Sequence, residues 1–266
     1  MNRFGLVAFS IIVIGILSLQ VAVVSAYTAG YEITNYLATT DAVEDGKWTT
    51  STEWTDAATA PNLPASFLWR EKWTMPGDIL EHVLVEFYAD NTNDTGDYFQ
   101  LCFDPLGNGG STPQTDDIRV DYVGHNISGL TLYKGNGTGW TKWTGYTYGT
   151  DIKIAETLSS SQMNSSLHWI IELMMDRSKA EFDTSGGGYL PWLRVAVYDA
   201  SNSAAGVQAW PPTSQDAPAT WGLETGIYAS IPEFPSIAPV VLLMSLAVVA
   251  GIIIARKLPK PEKQEK

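Results

Sequence analysis

Two stretches of the chain concentrate side-chain oxygens. One holds Asp90, Asn91, Asn93, Asp94 and Asp97; the other holds Asp104, Asn108, Asp116 and Asp117. Carboxylates and amides at this density suit a hard cation such as calcium, which takes about six to eight oxygen ligands at about 2.3–2.6 Å. Neither spacing is that of an EF-hand. Both stretches are rich in turn-forming residues, so solvated turns are the competing reading. Asn93 heads a glycosylation sequon, which makes Asp104, Asn108, Asp116 and Asp117 the better metal candidates.

Aromatic residues form the second candidate constellation. All 10 tryptophans and 12 tyrosines fall between Tyr27 and Tyr228. Flat rings stack on the apolar face of a sugar, while neighbouring polar groups orient its hydroxyls. Trp140, Trp143, Tyr146 and Tyr148 crowd a Gly/Thr-rich stretch and are the candidate glycan contacts. The alternative is that these rings pack or shield a core. Trp169 and Trp192 lie on apolar alternations and are expected in the core, and Trp54 and Trp221 read as structural closures.

Catalytic chemistry finds little material. There is no Gly-x-Ser-x-Gly elbow, no His-Glu-x-x-His helix and no phosphate loop. A single cysteine, Cys102, excludes an internal disulfide and a four-cysteine zinc site, and its mid-strand position reads as an inert buried thiol. The chain is therefore expected not to be an enzyme. The 16 basic against 29 acidic residues, net charge -13, argue against nucleic acid as a partner.

The elements that must position these residues are strands. Apolar and polar residues alternate over Leu80 to Tyr88, Asp97 to Asp104, Ile118 to Tyr122, Trp169 to Leu173 and Leu193 to Val197. Shorter strands are predicted at Phe67 to Trp73, Leu130 to Tyr133, Trp140 to Trp143 and Ile152 to Ala155. Turn clusters at Asp90 to Gly96, Gly107 to Thr112, Gly135 to Gly139 and Ser185 to Gly188 separate them. Asp176 to Phe182 is the one convincing helical stretch. About ten strands and almost no helix predict an all-β fold, an antiparallel, jelly-roll-like β-sandwich.

The two ends read differently. Residues 1–26 open with Asn2 and Arg3, continue with an apolar run and close on Val24-Ser25-Ala26, the order of a signal peptide. Ile237 to Ala255 is an uncharged run of 19 residues, long enough for one transmembrane helix. Arg256, Lys257, Lys260, Lys263 and Lys266 follow it, so the positive-inside rule puts the tail 256–266 in the cytoplasm. The expected organisation is an extracellular domain over 27–228, a Pro-rich linker over 229–236, then a single span into the cell membrane. Four sequons, at Asn93, Asn126, Asn136 and Asn164, fall in or beside predicted loops, as expected of an exported glycoprotein.

The order of motifs resembles the family 9 carbohydrate-binding, DOMON-like superfamily. Val43-Glu44-Asp45-Gly46-Lys47-Trp48 with Glu53-Trp54-Thr55-Asp56-Ala57 is similar to its opening. Asp97 to Asp104 resembles its "D-x-v-x-l-x-x-D" strand, and Trp169 to Met175 its "W-x-x-E" strand. Trp192 to Asp199, followed by Trp210-Pro211-Pro212, Pro218 and Trp221-Gly222, resembles its closing strand and tail. Ile231-Pro232-Glu233-Phe234-Pro235 before the apolar run resembles the PEF-type anchors of archaeal surface proteins.

The first resemblance implies a β-sandwich that binds polysaccharide or other glycans, with structural calcium in some relatives. A non-catalytic role in recognition or in envelope structure is expected, with other envelope proteins as further partners. The alternative that the superfamily carries is an outward-facing, haem-binding electron-transfer domain. Its material here is Met163, Met174 and Met175 near His168. His168 and Met174 fall on one face of one strand, however, whereas axial ligands must approach haem from opposite sides.

Overall fold

In the computed structural model, residues 27–35, 37–74, 79–179 and 190–226 are described here. Among the described residues, thirteen strands make two facing sheets. The larger sheet contains β1 (Glu32–Asn35), β13 (Gly222–Gly226), β11 (Trp192–Tyr198), β5 (Tyr98–Asp104), β6 (Ile118–Val123), β7 (Thr131–Gly135) and β8 (Trp140–Lys142) in that order, with β12 (Gln208–Trp210) paired to β11. The smaller sheet runs β2 (Ala58–Thr59), β3 (Phe67–Thr74), β4 (Leu80–Phe87), β10 (His168–Asp176) and β9 (Ile152–Ser159). All pairings are antiparallel except β1 with β13, which joins the two ends of the domain. The all-β sandwich expected from the alternation is present.

Period-two patterning explains the core. Phe99, Leu101 and Phe103 of β5, Ile118 and Val120 of β6, and Leu193, Val195 and Val197 of β11 point inward from the larger sheet. Val83, Val85 and Phe87 of β4 meet them with Trp169, Ile171, Leu173 and Met175 of β10. Trp69 and Trp210 meet edge-on at 4.7 Å and are both fully buried. Burial of large apolar side chains like these stabilises by roughly 1.5–3 kcal/mol each.

The outer face of the smaller sheet is covered by the segment before β2. There Ala42, Trp48 and Trp54 pack on Leu84 and Ile170. Glu172 of β10 fixes that segment by accepting from the backbone N–H of Asp45 (3.0 Å) and Gly46 (2.8 Å) and from Trp54 Nε1 (2.9 Å). Gly46 has φ +77, and a Cβ there would come within 2.4 Å of the Glu156 backbone, so glycine is required. Lys72 is fully buried beneath the same segment, donating to the carbonyls of Thr40 (2.7 Å) and Glu53 (2.5 Å) and pairing with Asp56 at 3.2 Å.

One sequence expectation changes. The helix over Asp176 to Phe182 is absent where it can be seen: β10 continues through Asp176, and only Arg177–Lys179 makes a single 3-10 turn. Residues 180–182 and the turn cluster 185–188 lie outside the described residues. So do the signal peptide, linker, span and tail. Among the described residues no helix is long and apolar enough to cross a membrane.

Candidate functional site

Alternation leaves Tyr98, Gln100 and Cys102 of β5, Arg119 and Asp121 of β6, and Trp192 and Arg194 of β11 on the outer face of the larger sheet. Strand order β11-β5-β6 sets them side by side, with Gln100 opposite both Ala196 and Asp121. The chain from Pro211 to Trp221 passes over this face, and the space beneath it is a cleft of about 510 Å³. Tyr98, Gln100, Arg119, Asp121 and Arg194 form its floor, while Val207, Pro212 and Asp216 contribute to its rim. The volume falls within the range of small-ligand sites, about 300–1,000 Å³.

The floor is one connected polar network. Arg119 binds Asp121 with two donors, Nε to Oδ1 at 2.8 Å and Nη2 to Oδ2 at 2.5 Å. Gln100 Nε2 donates to Asp121 Oδ1 at 2.9 Å, and Arg194 Nη1 donates to Gln100 Oε1. Asp216 on the rim lies 3.7 Å from Arg119 Nη1. Burial works against the Arg119 charge, but the paired Asp121 carboxylate outweighs it and holds the guanidinium more firmly charged than a free arginine. The guanidinium also lies 5.0 Å from the Tyr133 ring and 5.7 Å from the Trp140 ring. Planar donors, an acceptor amide and flanking rings are the groups that read a polyhydroxylated ring.

The four aromatic candidates do not share one face. Trp140 stands on the outer face, parallel to Trp221 at 6.5 Å. Trp143 follows the end of β8, bonds Leu132 O through its backbone N–H at 2.9 Å, and packs against the main core. Tyr146 is buried edge-on to Trp143 at 5.1 Å, with its hydroxyl donating to Asp176 O at 2.7 Å. Tyr148 is 53% exposed. Only Trp140 adjoins the cleft, through Arg119. Trp54, Trp169, Trp192 and Trp221 are all buried, and burial pushes the Cys102 thiol up to about 12.

The acidic residues of the Asp104 to Asp117 loop are brought together by the β5–β6 connection, at the opposite end of β5 from Asp90 to Asp97. Oxygens of Asp104, Asp116 and Asp117 lie within 4.8 Å of one another. Asp104 Oδ2 accepts from Gly109 N at 2.6 Å, and Asn108 Nδ2 donates to Asp116 Oδ2 at 3.1 Å. Gly109 has φ +67, and a Cβ there would strike the Trp192 ring at 2.4 Å. Asp117 Oδ2 accepts from Gln114 N at 2.6 Å, while its buried Oδ1 has no hydrogen-bond partner among the described residues. Burial pushes the Asp117 carboxyl up to about 8 and also raises Asp104.

Clustered carboxylates with an orphaned oxygen fit a hard divalent cation. Calcium is therefore expected to raise the melting temperature of the chelator-stripped protein. Asp117→Asn should abolish that rise while leaving the metal-free protein about as stable, because the amide oxygen can still accept from Gln114 N and burial already disfavours the charged carboxyl. Equal calcium shifts in both proteins, measured by differential scanning fluorimetry, would count against this site.

Of the sequon asparagines, Asn93, Asn126 and Asn136 are exposed and Asn164 is half-buried. The methionines near His168 diverge, with Met175 in the core, Met174 on the opposite face of the sheet and Met163 exposed. His168 Nδ1 lies 2.8 Å from Ser166 O. No pair of opposed axial haem ligands forms among these described residues.

No protein-family model matches this sequence, and no curated protein matches it. Similar solved structures include a family 9 carbohydrate-binding module from Caldicellulosiruptor kristjanssonii in complex with cellotriose. It has a TM-score of 0.48 and 17% identity, covering 73% of this chain and 93% of that one. A family 9 module from the same organism, in complex with glucose, gives a TM-score of 0.44 and 15% identity, covering 73% of this chain and 95% of the other.

Proposed function

We propose that this protein is a non-catalytic, glycan-recognising surface protein that binds its ligand in the cleft on the outer face of the larger sheet. The observation that carries the reading is the cleft floor, where Gln100, Arg119, Asp121 and Arg194 form one hydrogen-bonded network beside Tyr133 and Trp140. Both Asp121 oxygens are already engaged, an arrangement that orients hydroxyls rather than moving protons. The amino-terminal signal pattern, the apolar run Ile237 to Ala255 and the basic tail support an extracellular domain on a single-pass anchor in the cell membrane. The acidic loop Asp104 to Asp117 supports calcium as a structural ion.

The test is a glycan screen with the full chain, starting with cellotriose and glucose. Arg119→Lys keeps the charge but loses the planar fork, so it should weaken the retained glycan about tenfold or more with little change in melting temperature. Trp140→Ala should act in the same direction. Trp143→Ala, which removes a ring packed on the core, should lower stability without selectively affecting affinity. Wild-type affinity in Arg119→Lys, or no glycan retained at all, would remove the cleft as a sugar site.

A further inference from the structure

A second cluster of ligating groups lies at the end of the sandwich where β4, β5, β6, β9 and β11 meet their loops. Asp90 follows β4, Asp97 precedes β5, His125 follows β6, Glu156 is on β9 and Asp199 follows β11. One ligand atom from each of Asp90, Asp97 and His125 lies within 4.8 Å of the others, and Asp97 also groups in this way with Asp94 and Asp199. The His125 Nε2 atom is 3.0 Å from Asp97 Oδ2 and 3.9 Å from Asp90 Oδ2.

The imidazole is held rather than free. Its Nδ1 is 2.8 Å from Glu156 Oε2, and its ring stacks on Trp169 with centroids 3.7 Å apart and planes 17° off parallel. Its backbone takes φ +50, a left-handed conformation uncommon in non-glycine residues. Glu156 Oε1 is occupied separately by the Tyr122 hydroxyl at 2.7 Å, so this carboxylate is itself fixed.

Asp90 is the group without an explanation. Its side chain is fully buried, and Oδ1 accepts from the Thr92 backbone N–H at 2.9 Å and hydroxyl at 3.1 Å. Oδ2 faces His125 Nε2 and has no hydrogen-bond partner among the described residues. An unpaired carboxylate oxygen is costly to bury unless a cation or proton meets it. Asp90, Asp97, His125 and Glu156 also line a cavity of about 10 Å³, room for one water-sized occupant.

We propose that Asp90, Asp97 and His125 bind a divalent transition-metal ion of the zinc type, with Glu156 as the outer partner that orients the imidazole. Two carboxylate oxygens and one imidazole nitrogen are a zinc donor set, to be completed by a fourth ligand. A carboxylate on Nδ1–H leaves the Nε2 lone pair for the metal, the arrangement that commonly backs a metal-bound histidine. Ion binding takes the place of any proton on Nε2, which passes to solvent. The donor set separates this site from the all-oxygen cluster at Asp104, Asp116 and Asp117, which suits calcium. The inference does not depend on the glycan reading.

The experiment is a competition titration of the purified, chelator-stripped full chain with Zn²⁺, and separately with Co²⁺, at saturating Ca²⁺. The expected result is one high-affinity Zn²⁺ site that Asp90→Asn weakens more than tenfold and Glu156→Gln weakens about 10–100-fold. Co²⁺ should give a visible d–d absorption band that Asp90→Asn abolishes and Asp117→Asn leaves unchanged. Asp90→Asn keeps the acceptor for Thr92 and so is expected to fold, which its melting curve would verify. Absence of a Zn²⁺ site in the wild type, or Zn²⁺ affinity unchanged in Asp90→Asn, would overturn the proposal. His125 would then be an imidazolium clamped between Asp97 and Glu156.

Discussion

Arg177→Met is expected to be the most damaging single substitution in the described domain, costing about 3–5 kcal/mol. Arg177 sits just past β10, among inward-facing residues of β1, β3, β4 and β13. Its Nη2 donates to both oxygens of Glu224 at 2.6 and 2.5 Å, and its Nε lies 3.0 Å from Glu81 Oε2. Asn35 Nδ2 ties the two acids together, at 2.7 Å to Glu81 and 3.2 Å to Glu224. Glu71, Glu81 and Glu224 are all fully buried.

Removing the guanidinium strips the buried Glu224 and Glu81 oxygens of their cationic partner, and breaking a buried pair costs far more than the pair contributes. For a domain of this size the loss corresponds to a fall of roughly 10 °C in melting temperature. The contrast is Glu71→Gln. Burial, then the neighbouring Glu224 and Glu81, push the Glu71 carboxyl well above its ordinary range and favour its neutral form, so the amide is expected to change little at neutral pH. A melting temperature for Arg177→Met within 2–3 °C of wild type, about 1 kcal/mol, would contradict this account.

This acid cluster shows what the sequence discloses and what it hides. Parity alone places Glu81 on the same side of β4 as Val83, Val85 and Phe87, and Glu71 on the same side of β3 as Trp69. That they are buried rather than frayed at strand ends depends on β1 and β13, which close the sheet there. Those two strands are four and five residues long and pair in parallel across nearly the whole domain, so no local pattern announces them. The longer strands were legible because each carries three or more alternating apolar residues. The Asp104 to Asp117 loop was legible as well, since both its arms belong to one β5–β6 connection.

The cleft was visible only in fragments. Gln100, Arg119, Asp121 and Arg194 each read as the polar side of a strand. Their convergence requires β11 to lie beside β5, a neighbour about ninety residues away in sequence. The aromatic stretch misleads for the opposite reason, because closeness in sequence suggests one surface. β8 ends at Lys142, and Trp143 then turns toward the core while Trp140 stays outside. Glu172 and Gly46 give the resembled opening and "W-x-x-E" motifs a structural purpose: one carboxylate holds the covering segment in place.

Stability is expected to fall steadily from about pH 5 to about pH 8 when divalent cations are removed. Burial raises Glu81 to about 8, Asp117 to about 8 and Glu172 to about 7, and raises Glu71 and Asp90 in the same direction. A carboxyl whose folded pKa exceeds its unfolded value binds more protons in the native state. Its stabilisation is complete below the unfolded value, near 4–4.5, and is lost as pH rises through the folded one. Several such groups act together, so the expected loss is on the order of a few kcal/mol, enough to move the melting temperature by roughly 10 °C.

Asp56 works the other way. Burial opposes its charge, but backbone donors at Thr39 and Thr40 and the Lys72 ammonium overcome it and lower the carboxyl to about 2. Its stabilisation is therefore present above about pH 4 and disappears only in stronger acid. The two trends cross to give an optimum near pH 4–5 rather than at neutrality. Calcium should flatten the neutral limb by taking over Asp117, and Glu81→Gln should flatten it further by removing a proton that must otherwise leave. A melting temperature that stays level or climbs between pH 5 and 8 in chelator would mean that these buried carboxylates are ionised in the native protein and matched by charge the cluster geometry does not supply.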